Sequence, residues 1–501
     1  MKWFIIILTS SIAFSATYFV PEDYHTIQEA IDVTSDGDTV LVLPGTYVEN
    51  ISFLGKDITV ISKSGPFETT IDGGNSGSVV CFQNNESSAA VLMGFTITNG
   101  FANEGGGIRC ESASPTIIDN RIIGNETDCI GGGIACFGGS SLIGGNVIFN
   151  NRASEYTGEG GKGGGIFADG CSLNIICNLF ESNEAIRYWD YSKGGGIYAN
   201  DCSGVIACNV FLYNEVFTGS GGAISLYGCN GVSIINSVIA ENQARVGGGI
   251  QCAGGEAICI HNCTITENLA PYGSALEVFA CSVSVLNSII WSNELNEDIY
   301  LEQGIMDIAY TDLEDGQEAI AMVSGSILYW GPGMIDADPL FVFGPLSHYH
   351  LSDGISPCID AGHPGTMYFD PEDPENPGYA LWPSLGFLRN DMGAYGGGGV
   401  GYWLAVEEGE NLILEPSATM YCYPNPFMGS ATIVLELSEP GYASVQVYDL
   451  SGRRIKTLLE EDMINGPISF VFDGSSLPSG VYIVMLQAEE YSISHRLVLF
   501  R

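Results

Sequence analysis

A glycine-rich tetrapeptide recurs along the middle of this chain, and its spacing restricts the fold more than any other feature. It reads Gly105-Gly106-Gly107-Ile108, then Gly131-Gly132-Gly133-Ile134, Gly163-Gly164-Gly165-Ile166 and Gly194-Gly195-Gly196-Ile197. Variants follow at Gly221-Gly222-Ala223-Ile224, Gly247-Gly248-Gly249-Ile250 and Gly273-Ser274-Ala275-Leu276. The closing apolar residues are 26, 32, 31, 27, 26 and 26 residues apart. A period in this range predicts a solenoid in which each repeat buries its apolar face only by stacking on its neighbours.

Asparagine pairs run in phase with the glycines. They fall five residues apart at 120/125, 146/151, 178/183 and 209/214, and six apart at 236/242, 262/268 and 287/293. Each pair brackets a short apolar run such as Ile122-Ile123, Val147-Ile148-Phe149 or Val210-Phe211-Leu212, too short for a helix and rich in β-branched residues. Coils stacked about 4.8 Å apart would place equivalent residues above one another. Asn suits the corners because it tolerates left-handed backbone and its amide bonds to neighbours in the stack. Gly permits positive φ and close approach at another corner.

Most of the 15 cysteines sit on this repeat. Cys171, Cys202, Cys229 and Cys281 follow an anchor by five residues and Cys110, Cys136 and Cys252 by two, while Cys177 and Cys208 precede a ladder Asn. None has zinc-site spacing. They read as small buried hydrophobes in an interior stack, with cross-coil disulfides as the alternative in an oxidising compartment.

Charge narrows the partners. The chain has 59 acidic residues against 16 Lys plus Arg, a formal charge of −43, yet 46% of its residues are apolar. Disorder is excluded by the apolar content, and nucleic acid by the shortage of clustered cations. Polyanionic glycans would need calcium to bridge them. At the N-terminus, Lys2, the apolar run from Trp3 to Phe14 and the small residues Ala13 and Ser15 read as a signal peptide over 1–15. No other run is long enough to span a membrane, so the mature chain is expected to be exported, at the cell surface or extracellular.

The two ends carry resemblances. Thr26-Ile27-Gln28-Glu29 has a capping-box pattern for a short helix, and Thr39–Leu43 reads as a strand leading to Pro44-Gly45-Thr46-Tyr47. This stretch resembles the start of pectin-lyase-like right-handed β-helix proteins, which implies an all-β, right-handed parallel β-helix over 16–300, with last coils and a C-terminal cap segment over 301–400. Within 336–395, "DADPLF", "YHLSDGISPCIDAG" and "DMGAYGG" resemble the closing segment of choice-of-anchor surface proteins, with Gly396 where that family commonly has an acid. Asp360 and Asp391 read as turn-holding residues. A polar, acidic linker over 401–420 precedes Tyr423-Pro424-Asn425-Pro426-Phe427 and a series of alternating strands. With Val447-Tyr448-Asp449-Leu450-Ser451-Gly452-Arg453 and Leu477-Pro478-Ser479-Gly480-Val481-Tyr482, residues 421–501 resemble the type IX secretion C-terminal sorting domain. That resemblance implies a small β-sandwich that engages the secretion machinery.

No catalytic signature appears. Polygalacturonase-type enzymes of the resembled fold use paired Asp and Gly-His-Gly, both absent here, and the basic residues Arg109, Arg121, Arg152, Lys162, Arg187, Lys193 and Arg245 are scattered. Coil lengths are more informative. From the second ladder Asn to the next anchor the count is 9, then 15, 14, 10 and 8, so two successive coils carry insertions at one corner. These insertions hold Tyr156, Arg187, Tyr188, Trp189, Asp190 and Tyr191, aromatics and polar groups suited to stacking on sugar rings. A second candidate is the row Glu126, Glu184, Glu215 and Glu294, each directly after an Asn, where stacked carboxylates would bind calcium. Three readings follow: a carbohydrate-binding or adhesive surface protein, a polysaccharide lyase or glycoside hydrolase, or a structural surface protein.

Overall fold

The computed structural model describes residues 15–154, 161–186, 192–293, 297–342, 349–374 and 376–399, and then 418–423, 430–437, 441–449, 454–463, 468–475, 477–478, 480–488 and 492–499. The proposed signal peptide (except Ser15) and the linker up to 417 lie outside these residues.

Three long parallel sheets form the walls of the solenoid. The first has 13 strands, from Thr17–Val20 to Ile327–Trp330. The second and third have 11 each, from Gly45–Val48 to Asp312–Leu313 and from Ile51–Ser52 to Ile320–Met322. Each coil contributes one strand to each wall, in register with the coil before: Ile122 pairs with Ile148, Phe180 with Phe211, Ile197 with Ile224. The interior is therefore columns of like residues, including Phe180 stacked on Phe211 at 4.6 Å. Each such side chain gains about 1.5–3 kcal/mol on burial. The coils continue past residue 300 to Trp330.

The first coil is closed by the helix Ile27–Val33, which buries Ile27, Ala30 and Ile31. Thr26 accepts the Glu29 amide at 3.1 Å as the N-cap, and Glu29 reaches back to the His25 amide at 3.1 Å. Glu49 adds acceptors for the Ile27 and Gln28 amides.

The asparagine ladder differs from the sequence reading in one respect. Left-handed backbone belongs to the residue before each ladder position: Asp119, Asn150, Cys177, Ser182, Cys208, Tyr213, Glu241 and Glu267 all have φ between 52° and 62°. The ladder Asn itself is buried, and its amide ties coil to coil. Asn183 donates to Ile148 O at 2.7 Å and Asn214 Oδ1 at 2.9 Å, and accepts from the Asn151 amide at 3.1 Å. In the six-apart pairs, Asn236, Asn262 and Asn287 are left-handed residues. The ladder position beside them is taken by Ser237, Cys263 and Ser288, whose side chains lie where the amide would be.

At the glycine corner, the first Gly of each motif has positive φ, from 60° to 72°. The second lies against the next coil: a Cβ on Gly195 would sit 2.5 Å from Gly222 O.

The segment expected to cap the C-terminal end instead runs back along the outside of the second sheet. Cys358 meets Asp312; His363 and Gly393 bond Asn287; Asn390 and Asp391 O accept from Asn262; Ala394 O and Gly396 O accept from Asn236. The reason is visible in the second sheet, whose outward positions Leu179, Val210, Val238 and Ile289 are apolar and need a cover. Cys177 and Cys208 belong to this covered outer layer with Tyr349 and Tyr395, not to the interior stack. Cys110, Cys136, Cys171, Cys202, Cys229, Cys252 and Cys281 are in the solenoid core. Asp360 and Asp391 hold turns: Asp391 accepts the Asp360 and Leu385 amides, each at 2.7 Å, and Asp360 accepts that of Phe387.

This strap rests on a buried carboxyl pair. Asp370 accepts the amides of Asp391 and Gly397, and Asp370 and Asp391 are both almost fully buried. Burial, and then the adjacent Asp391, push the Asp370 carboxyl far above its ordinary range; burial does the same to Asp391. The folded state thus keeps protons that the unfolded chain has lost at neutral pH. This contribution is complete below the unfolded carboxylate range and disappears as pH rises through the raised values. Melting temperature is expected to fall between pH 6 and pH 9 by about 1–2 °C, equivalent to about 1 kcal/mol in a domain of this size, and Asp370→Asn is expected to flatten that fall. A melting temperature independent of pH over this window in the wild type would rule the pair out as the titrating group.

Beyond 418 the strands are antiparallel. Ala418–Tyr423, Ser430–Leu437 and Ile468–Asp473 form one sheet; Arg454–Met463, Gly441–Asp449, Gly480–Ala488 and Ser492–Leu499 form the other. Ile433, Val445, Val447, Phe472 and Val484 lie between them. The first of these strands begins at Ala418, three residues inside the stretch read as linker.

Candidate functional site

Tyr156, Arg187, Tyr188, Trp189, Asp190 and Tyr191 lie outside the described residues. The roots of both insertions are described, and they adjoin: Arg152–Ser154 pairs with Glu184–Ile186, and Lys162 pairs with Lys193. The insertions leave and re-enter adjacent coils at the same corner, between the second and third sheets.

A short fourth sheet fills that corner, formed by Phe101–Glu104, Glu126–Ile130, Arg152–Ser154, Glu184–Ile186 and Glu215–Val216. It brings Glu126, Glu184 and Glu215 into one column, as the sequence implied. The row of carboxylates is interrupted, however. Arg152 stands in register between Glu126 and Glu184, 3.8 Å and 3.9 Å from their carboxylates. This guanidinium supplies the counter-charge that the calcium reading assigned to a metal. Burial, and then Glu184, raise the pKa of Glu215. Among the described residues no group of three or more His, Cys, Asp or Glu is arranged to hold a metal ion, and Glu294 lies outside them.

The outward face of the third sheet, beside the insertions, gathers groups that sequence reading did not connect. Strand alternation points the residue after each Ile anchor outward. Register then stacks Arg109, Ala135, Phe167, Tyr198, Ser225, Gln251, Glu277 and Tyr300 in one column. A second column, two residues along, contains Phe137, Tyr227, Phe279 and Glu302. Where the chain enters the glycine corner, Lys162, Lys193, Ser220, Val246 and Tyr272 form a third.

These columns gather aromatic, cationic and polar groups: Phe167, Tyr198, Ser225, Gln251 and Glu277 are buried among them, and Tyr227 and Tyr272 are exposed. Phe137, Phe167 and Tyr198 step along it with ring centroids 5.5 Å and 5.6 Å apart. The Lys193 ammonium lies 4.3 Å from the Tyr227 ring centroid and 5.9 Å from that of Tyr198. Burial lowers its pKa, with Lys162 adding to the effect and Glu277 opposing it. Ser225 bonds Gln251 at 2.7 Å. Glu277 is buried and its pKa is pushed up to about 7, chiefly by burial. Tyr272 packs against Tyr300 at 5.6 Å, and Tyr227 and Tyr272 are each 47% exposed. A signal for this face was present in the sequence: reading the residue after each anchor down the repeat gives Phe167, Tyr198, Ser225, Gln251, Glu277 and Tyr300.

Comparison with known proteins fixes the two building blocks. Residues 155–312 match the right-handed β-helix region, and residues 421–499 match the secretion system C-terminal sorting domain. The protein is a right-handed parallel β-helix joined to a type IX secretion sorting domain. The sorting domain marks this β-helix protein for export. No curated protein sequence matches the chain. Among solved structures, the enzymatically active domain of bacteriophage CBA120 tailspike protein 2 is similar at 11% identity and a TM-score of 0.27, covering 94% of this chain and 73% of that one. The Yersinia enterocolitica family 28 exopolygalacturonase is similar at 7% identity and a TM-score of 0.19, covering 64% and 78%. At these scores neither likeness carries a functional argument. No helix among the described residues is long and apolar enough to cross a membrane.

Proposed function

We propose that this exported β-helix protein binds glycan along the outward face of its third sheet, as a carbohydrate-binding or adhesive protein delivered to the cell surface or the medium. The observation that carries this reading is the pair of half-exposed rings, Tyr227 and Tyr272, on one parallel-strand wall, with the Lys193 ammonium 4.3 Å from the Tyr227 ring centroid. Flat rings on such a wall match the apolar faces of sugars, and an ammonium beside them matches hydroxyls. The repeat spacing of about 4.8 Å gives the wall the extended shape that suits a chain rather than a single sugar. The roots of the two insertions lie at its edge, and this reading assigns Tyr188 and Trp189 to the same site.

The test is retention of the purified protein on a panel of immobilised polysaccharides. The Tyr227→Ala/Tyr272→Ala double variant is expected to bind at least about tenfold more weakly, equivalent to about 1.4 kcal/mol, with an unchanged melting temperature. The Tyr188→Ala/Trp189→Ala variant measures the contribution of the insertion separately. Wild-type affinity in the first variant would remove this face as the binding site.

A further inference from the structure

Three cysteines stack on consecutive coils inside the solenoid. Backbone bonds fix their register: Ser203 donates to Cys171 O at 3.1 Å and Asn230 to Cys202 O at 3.0 Å. Cys171, Cys202 and Cys229 therefore occupy one position of successive coils, just ahead of the strands of the first sheet. The same bonding places Gly139 before the run and Gly255 after it. The sulfurs point along the stack. The Cys171 amide donates to Cys202 Sγ at 3.3 Å, and the Cys202 amide to Cys229 Sγ at 3.4 Å. The Cys202 thiol also shares hydrogen bonds with the thiols of both neighbours. All three are free thiols and buried. Packing explains a buried cysteine as a small hydrophobe, but it does not direct three sulfurs at one another. A metal does not explain the run either, since no group of three or more His, Cys, Asp or Glu among the described residues is arranged to hold one. Coils about 4.8 Å apart put paired Cα atoms inside the range of about 4.4–6.8 Å that disulfides span.

We propose that this column is a site of oxidative modification: on export it takes one disulfide, between Cys202 and either Cys171 or Cys229, and keeps the third sulfur as a thiol. The sorting domain marks the chain for export, and disulfides persist in exporting and extracellular compartments. The oxidant is a disulfide donor. The Cys202 thiolate attacks one sulfur of the donor and expels the other as a thiolate, which leaves a mixed disulfide on Cys202. The thiolate of Cys171 or Cys229 then attacks Cys202 Sγ, forms the bond between coils and expels the second half of the donor. The two protons from the protein end on the two donor halves, so two protein thiols are oxidised and one donor disulfide is reduced. Cys202 attacks first because hydrogen bonds from Cys171, and then Cys229, lower its pKa and favour the thiolate. The exchange takes place before the coils close over the sulfurs. A Cys171–Cys202 bond closes the segment that carries Arg187, Tyr188, Trp189, Asp190 and Tyr191, and a Cys202–Cys229 bond closes the next coil. Either bond staples the coil that follows the second insertion to its neighbour.

The full-length protein is produced by export into an oxidising compartment, denatured in a thiol-alkylating reagent without reductant, and its alkylated thiols counted by mass. Peptide mapping is expected to find Cys202 linked to Cys171 or Cys229. Cys202→Ser has one cysteine fewer and is expected to show one free thiol more than the wild type. Both neighbours lose their partner, and at two coils, about 9.6 Å, they are too far apart to pair with each other. Cys171→Ser is expected to channel the linkage to Cys229, and Cys229→Ser to Cys171. The exported wild type is expected to melt about 3–6 °C above the same chain made in a reducing compartment. Cys202 found alkylated in the wild type, or linked to any other cysteine, overturns the proposal even where the variants fail to fold. One free thiol fewer in Cys202→Ser overturns it as well, and equal melting temperatures overturn the stapling role.

Discussion

Asn183→Ala is expected to destabilise the β-helix by about 3–5 kcal/mol, measured by equilibrium chemical denaturation. Asn183 is fully buried, and its amide serves both adjacent coils at once. It donates to Ile148 O and Asn214 Oδ1, and its Oδ1 accepts from the backbone amide and side chain of Asn151 at 3.1 Å and 3.0 Å. Alanine removes every one of these partners while leaving Ile148 O and the Asn151 amide in the interior. Each buried group left unsatisfied costs about 1–3 kcal/mol. The control is one residue before the same ladder. Asn150 is left-handed at φ 52° and exposed, so Asn150→Gly is expected to change stability by less than about 0.5 kcal/mol. Equal losses in the two variants would mean that the ladder contributes nothing beyond its turn conformation. Ser237 and Ser288 show that a hydroxyl substitutes in the first ladder by accepting the amide of the previous coil. Asn209→Ser should therefore cost less than Asn183→Ala.

The same ladder shows where sequence reading succeeded and where it stopped. The period was legible because stacking forces every coil to meet the same environment, and the Gly and Asn spacings report that environment directly. The change from five-residue to six-residue pairs was misread because Asn is favoured at two adjacent positions for unrelated reasons. At Asn236 it fits left-handed backbone; at Asn209 it bonds between coils. Only register separates the two. The third-sheet wall was hidden for a similar reason. Ser225, Gln251 and Glu277 are 26 residues apart in sequence and become neighbours only when the coils stack. Local motifs cannot show such a column, although the repeat, once aligned, lists its members. The path of the strap was least legible of all. Residues 349–399 have no period, and their partners Asn236, Asn262 and Asn287 are about 75–160 residues away by the separations of the bonds they make.

The strap also changes how the second sheet is understood. On an isolated solenoid, the outward residues Leu179, Val210 and Val238 would form an apolar patch. Here Tyr349, Ala394 and Tyr395 cover it. The Tyr349 hydroxyl lies 3.1 Å from Glu241 and 3.0 Å from Glu267, both at left-handed corners. The covering segment thus reads the corners as well as the wall, which places it in one register along the coils. On the outward side of the third sheet, Ser225, Gln251 and Glu277 are buried and Tyr227 and Tyr272 are exposed. The two faces differ in character: the second sheet is covered by the strap, and the third leaves the rings of Tyr227 and Tyr272 half-exposed.

Gly195→Ala tests the packing that permits all of these columns. A Cβ at this position would lie 2.5 Å from Gly222 O, 2.8 Å from the Glu215 amide nitrogen and 2.9 Å from Glu215 O. All three are backbone atoms of the next coil, so no side chain can turn aside to relieve the contact. The coils must separate locally, which lengthens the Gly195–Gly221 bond, now 3.2 Å, and the Gly196–Gly222 bond, now 3.3 Å. A cost of about 2–4 kcal/mol is expected. Gly144→Ala is the matched control. Its φ is not positive, and an added Cβ would meet nothing closer than 3.5 Å. There the methyl restricts the unfolded chain without strain, and a gain of about 0.4–1 kcal/mol is expected. Position three of the motif supplies an internal standard, since Ala223 and Ala275 already occupy it and Gly196→Ala should cost less than Gly195→Ala. If Gly195→Ala and Gly144→Ala proved equally stable, the corner would not be set by backbone contact between coils. The glycine triplets would then report turn conformation alone, satisfied by the first residue of each. With the expected difference, the second glycine is what allows coils to stack at strand spacing through the corner, and so what holds Lys193, Gln251 and Glu277 on one wall.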